Sequence, residues 1–285
     1  MNFGGIEEKY EALETAAFVV VPVPYDLTTT YQGGTRKGPA AILEASCNME
    51  LYDEEVEQET YRAGIHTMEP LEAVASGPEA MLGRIEEAVS GVFELGKIPV
   101  MLGGEHSITL GAVRAARKRY PKLTVLHLDA HADMRMSYQG TPYSHACIAR
   151  RMVELCPVVQ AGIRSMSVEE AAYLRKRRLP VYSAAAIRQD RAWVGKLIRQ
   201  LSRDVYITVD LDAFDPAVMP ATGTPEPGGM LWYDVLDLLR EVCRKKNVIG
   251  FDLVELAPIP GMVAPDFLAA RLAYRMMGYV SQKSR

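Results

Sequence analysis

The sequence predicts one α/β domain of three layers, a mostly parallel sheet with helices on both faces. Three observations carry this reading. Short β-branched apolar runs alternate with helical patterns along the 285-residue chain. The runs are nearly continuous in apolar character, as strands buried on both faces tend to be. No repeat, low-complexity tract or linker-like segment interrupts them, so the expectation is a single domain over residues 1–285.

The expected strands are residues 18–21, 98–102, 124–128, 158–161, 181–183, 205–209 and 248–253. Amphipathic helices are expected between them. The clearest begins near Trp232 and gathers Val235, Leu236, Leu238, Leu239, Val242 and Cys243 on one face. Arg244, Lys245 and Lys246 stand at its end, where positive charge complements the helix dipole.

Composition narrows the function. Hydrophobic residues make up 48% and charged residues 24%, ordinary for a globular protein, and the net charge of −4 gives no reason to expect a nucleic-acid partner. Residues 1–14 carry four Glu and no long apolar run, so they do not read as a signal peptide. The longest apolar stretch, residues 16–22, is far too short to span a bilayer. Cys47, Cys147, Cys156 and Cys243 lie scattered without a CxxC pair, as expected of reduced thiols in a cytoplasmic protein.

In parallel α/β sheets, active sites lie beyond the carboxyl ends of the strands. Four predicted strands run into unusual polar residues there. Gly103-Gly104-Glu105-His106 follows the second. Asp129-Ala130-His131-Ala132-Asp133 follows the third, Asp210-Leu211-Asp212 follows the sixth, and Glu255 comes shortly after the last. In extended chain, alternate side chains share a face, so Asp129, His131 and Asp133 should point together, as should Asp210 and Asp212. Four carboxylates in one small volume cannot all stay ionised without compensating positive charge. Two divalent cations supply it. Oxygen-rich ligation with a little imidazole favours a hard ion such as Mn²⁺, with zinc, iron and nickel as alternatives. A lone Asp-x-His is more often a turn or cap; the joint pattern is what points to chemistry. His127 reads as a core-facing neighbour of the site and His66 as a loop residue.

At these residues the sequence resembles the ureohydrolase family of arginases and agmatinases. The resemblance rests on Gly103-Gly104-Glu105-His106-Ser107, on Asp129-Ala130-His131-Ala132-Asp133, and on Asp210-Leu211-Asp212-Ala213-Phe214-Asp215-Pro216 with Thr222-Gly223-Thr224-Pro225. Residues 31–39 also resemble that family's N-terminal loop. The resemblance implies an arginase-like fold, assembly into homotrimers or homohexamers, and two Mn²⁺ per chain. His106, Asp129, Asp133 and Asp210 would hold one ion and Asp129, His131, Asp210 and Asp212 the other, with Asp129 and Asp210 bridging.

The chemistry implied is metal-assisted hydrolysis of a small cationic guanidine to urea and an amine. By the same resemblance, Glu255 orients the guanidinium, Asp133 moves a proton to the departing amine and His145 relays protons. The stretch from Met134 to His145 is similar to the agmatinase pattern, which implies agmatine as substrate and putrescine, a polyamine precursor, as product. Two departures open alternatives. Met136 stands where similar agmatinases carry an acid, and residues 258–266 form a proline-rich rim expected to reshape the pocket mouth. Aminopropylagmatine, or a guanidino acid such as guanidinobutyrate or arginine read by Arg135, is the alternative substrate. A zinc deacetylase-like hydrolase and a non-catalytic relative are the rival readings.

Overall fold

The computed structural model describes residues 1–282. Among them, eight strands form one sheet: β1 (Phe18–Val23), β2 (Ile65–Thr67), β3 (Ile98–Gly103), β4 (Thr124–Leu128), β5 (Val158–Ile163), β6 (Val181–Ser183), β7 (Asp204–Asp210) and β8 (Asn247–Val254). Their order across the sheet is β2-β1-β3-β8-β7-β4-β5-β6, and every pairing is parallel.

The continuous apolar strands divide their side chains by the period of two. Phe18, Val20, Val100, Leu102, Ile207 and Phe251 enter one core with helices Gly38–Ser46, Trp232–Lys245 and Ala264–Gln282. Val19, Val21, Met101, Val125 and Tyr206 enter the other, with helices Pro78–Glu94, Thr109–Arg119 and Ile148–Leu155. Both faces are therefore covered, which is why polar residues inside these strands need a special reason. The Trp232 helix buries the six predicted residues, and the chain turns extended at Lys246.

All seven predicted strands form, most of them a residue or two longer than expected. Two pieces were not foreseen: the edge strand β2, and a short antiparallel hairpin of Tyr52–Asp53 with Gln58–Glu59. Both are too short and too polar to show a period. His66 is corrected accordingly. It lies inside β2, not in a loop, with Nδ1 2.9 Å from the Glu11 carbonyl. No helix among the described residues is long and apolar enough to cross a membrane.

Candidate metal centre and active-site cleft

The four strands expected to end in chemistry, β3, β8, β7 and β4, are consecutive neighbours at the centre of the sheet. Their carboxyl ends bring His106, Glu255, Asp210 with Asp212, and Asp129 with His131 and Asp133 into one cleft.

Each side chain is aimed by a local device. After β3, the Gly104 amide bonds to the Val23 carbonyl at 2.9 Å, and a Cβ at Gly104 would overlap the Tyr25 carbonyl. The chain then tightens into the 3₁₀ turn His106–Ile108, which feeds the helix Thr109–Arg119. Asp210 closes β7, and its Oδ1 accepts from the Asp212 amide at 2.8 Å. Asp212 sits in the 3₁₀ turn Leu211–Ala213. The extended-chain premise is thus wrong for that pair: a capped turn, not a strand, makes them converge. Asp133 likewise leaves extended geometry, with φ 51°.

A repeated pattern results. Asp129 Oδ1 accepts from the His131 amide at 2.5 Å, and Asp212 Oδ1 accepts from the Ala130 amide at 2.9 Å. One oxygen of each of these aspartates, and of Asp210, is thereby tied to backbone, and the other faces an imidazole. His106 Nδ1 lies 3.1 Å from Asp129 Oδ2, 3.2 Å from Asp210 Oδ2 and 3.6 Å from Asp133 Oδ2. His131 Nδ1 lies 2.8 Å from Asp212 Oδ2. His106 Nδ1 is buried without a hydrogen-bond partner. An inward imidazole nitrogen ringed by carboxylate oxygens is a donor set for hard divalent cations. Two overlapping groups could hold metal ions, one of His106, His127, Asp129 and Asp133, the other of Asp129, His131 and Asp212.

Electrostatics agree. Burial pushes the Asp133 and Asp210 carboxyls well above the usual range, and neighbouring aspartates push them further. Burial alone would lower His106 and His131, but Asp129 and Asp212 outweigh it and raise both, His106 to about 9. The protein has thus assembled more negative charge than it can hold ionised without cations.

Glu255 follows β8 directly, buried, with φ 67°. Its Oε1 accepts from the His106 amide at 2.6 Å, which leaves Oε2 for a ligand in the cleft. Burial, then Asp210 and Glu105, raise its carboxyl well above normal. His145 opens the 3₁₀ turn before helix Ile148–Leu155, and burial lowers its ring to about 4, so it is neutral near pH 7. A residue left without a role in the sequence holds it. Buried Glu105 accepts from the Thr28 amide at 2.5 Å and from the Thr28 hydroxyl at 2.7 Å. Thr28 Oγ1 in turn accepts from the His145 amide at 3.1 Å and lies 3.4 Å from His145 Nδ1. Ser144 Oγ also lies 3.3 Å from Nδ1, and Thr30 Oγ1 lies 3.4 Å from Nε2, so both ring nitrogens meet hydroxyl groups.

An inner cavity lies over the ligands, walled by Thr30, Gln32, Gly223, Thr224 and Glu255. It shares Thr30, His131, Asp133, His145 and Thr224 with an outer cavity of about 250 Å³, which Arg135, Tyr138, Met166 and Glu170 complete. The Arg135 guanidinium stacks 5.0 Å over Tyr138, and its Nε is 4.0 Å from Glu170. Met136 is exposed and lines neither cavity. Nor is any residue of the proline-rich rim among those lining these two cavities.

Comparison with known proteins gives the same picture. The model of a family described as the Arginase family matches residues 16–278. An N(1)-aminopropylagmatine ureohydrolase of Synechocystis sp. is 41% identical, covering 95% of this chain and 91% of the relative. An agmatinase of Bacillus anthracis is 34% identical, covering 88% of this chain and 87% of the relative. The crystal structure of agmatine ureohydrolase of Thermoplasma volcanium superposes with a TM-score of 0.90 at 35% identity, covering 99% of this chain and 95% of that one.

Proposed function

Since the chain belongs to the arginase family of amidinohydrolases, we propose that it holds two Mn²⁺ ions and hydrolyses a linear, amine-ended guanidine to urea and an amine. The ligands in this reading are His106, Asp129, His131, Asp133, Asp210 and Asp212, with Asp129 and Asp210 shared. The observation that carries it is the ring of carboxylate oxygens around the unpartnered His106 Nδ1.

When bound, such ions neutralise the aspartates and lower the pKa of coordinated water. The chain's own groups do the rest. Glu255 Oε2 accepts from a guanidinium N–H and fixes the plane of the substrate, a charge-assisted and directional contact. Asp133 sits beside His106, where it would take a proton from the attacking water and hand it to the departing amine. Neutral His145, at the wall of the cleft, relays protons to solvent.

The outer cavity favours N(1)-aminopropylagmatine over the agmatine expected from sequence, because it gives room for an arm beyond the guanidino group. The 41% identical relative bears that name, against 34% for the agmatinase. Agmatine itself, with putrescine as product, is the second reading. Among the described residues, Arg135 is the one Lys or Arg lining the two cavities, and its pairing toward Glu170 argues against a guanidino acid. The family match also sets aside the deacetylase-like and non-catalytic readings. A single domain, cytoplasmic and assembled as a trimer or hexamer, belongs to the same proposal.

Urea release by Mn²⁺-loaded protein from aminopropylagmatine, agmatine, arginine and guanidinobutyrate tests it. The highest kcat/KM is expected for aminopropylagmatine, with agmatine next. Urea from arginine or guanidinobutyrate alone would refute the amine-ended reading and turn attention to Arg135.

A further inference from the structure

Beneath the ligands, the sheet carries a buried polar row. Asp252 on β8 is in register with Thr208 on β7, Thr208 with His127 on β4, and His127 with Gln160 on β5. All four are at most 1% exposed, in strands otherwise filled with Val, Ile, Leu and Phe. Burying four polar side chains side by side costs stability unless each is partnered, so their partners are informative.

The row decides between two histidines. His106 and His127 are both fully buried, their rings lie 4.9 Å apart, and both reach Asp129. Ring position alone does not separate a ligand from a bystander. Proton counting does, because a neutral imidazole has one N–H and one lone pair.

Behind His106, Nε2 lies 2.9 Å from Thr208 Oγ1. The single Thr208 proton goes to Asp252 Oδ1 at 2.5 Å, and the other Asp252 oxygen accepts from Tyr206 Oη at 2.9 Å. Thr208 can then only accept from His106, so the neutral ring that binds a metal carries its proton on Nε2 and turns a bare Nδ1 toward Asp129, Asp133 and Asp210. Behind His127, Gln160 Nε2 lies 2.8 Å from the Ala132 carbonyl and 2.8 Å from His127 Nδ1. A carbonyl oxygen only accepts, which fixes the amide with its NH₂ toward both atoms and leaves Gln160 Oε1 unpartnered. His127 Nδ1 therefore accepts, and its proton sits on Nε2, donated to Asp129 Oδ2 at 2.8 Å.

We propose that Thr208 with Asp252, and Gln160, are positioning residues that sort the two histidines by tautomer. His106 is held as a metal ligand, and His127 as a donor that orients the bridging Asp129. The inference rests on the binuclear reading above and adds to it the reason that one of two equivalent-looking imidazoles binds and the other does not. Partners behind a ligating histidine commonly control metal affinity by 10–100-fold.

The test is Mn²⁺ titration, read as stoichiometry and affinity, of wild type, Thr208→Val and Thr208→Ser. Valine keeps the shape of threonine and removes the acceptor; serine keeps the hydroxyl. The expected result is two ions in wild type, one of them weakened about 10–100-fold in Thr208→Val, and near-normal affinity in Thr208→Ser. Two ions in wild type with both affinities unchanged in Thr208→Val would overturn the inference alone. Fewer than two in wild type would overturn the binuclear reading and this inference with it. Neutron diffraction of metal-loaded wild type needs no variant: deuterium on Nε2 of both rings supports the assignment, and deuterium on Nδ1 of either contradicts it.

Discussion

His145 and Glu255 occupy environments that an exposed histidine or glutamate never meets, and their ionisation follows. The His145 ring falls to about 4 because burial disfavours its charged form. In the unfolded chain it titrates near 6.5, so between pH 6.5 and 4 the unfolded state binds the proton and the folded state does not. Stability from this group is present above pH 6.5 and is lost as pH falls through 4. His145→Gln removes that slope. At pH 5 the variant should gain about 1–2 kcal/mol on wild type relative to their difference at pH 7, after allowance for partial exposure. Chemical denaturation at the two pH values measures it, and parallel losses in both proteins would show that His145 is not buried neutral. Glu255 and Asp133 share another property, a positive φ at a non-glycine residue. Such conformations cost of order 1–3 kcal/mol and persist where surrounding structure imposes them.

Elements explain which parts of the site could be read in advance. The seven predicted strands announced themselves by apolar, β-branched runs, and the polar residues after four of them stood out against that background. Asp210 and Asp212 were legible as a pair, but not as a capped 3₁₀ turn, because i and i+2 converge in both geometries once the Asp210 side chain bonds the Asp212 amide. Glu105 was visible in its motif without a role, since its partner Thr28 is 77 residues away in the chain. The row Asp252–Thr208–His127–Gln160 was illegible for the same reason: each residue is a single polar interruption in its own strand, and only the sheet register joins them. Gly104 has an element-level cause as well, the close approach of the chain at Tyr25. Gly104→Ala should cost about 1–3 kcal/mol, as overpacking does, and displace His106. A variant as stable as wild type would mean that the 25–28 segment yields easily.

At the scale of the whole molecule, strand order does the assembling. The chain visits the four central strands in the sequence β3, β4, β7, β8, yet the sheet places β8 and β7 between β3 and β4. Residues from 106 to 255 thereby meet at one edge, and nothing in the local sequence specifies that order. The assembled edge holds more buried carboxylate than it can ionise unaided, so cation binding and folding are linked. The direct measurement is the metal content per chain of Mn²⁺-loaded wild type, Asp129→Ala and Glu255→Ala. Two ions in wild type, none tightly held in Asp129→Ala and two in Glu255→Ala are the expected values. One ion in wild type, or two retained in Asp129→Ala, would contradict a binuclear centre bridged by Asp129.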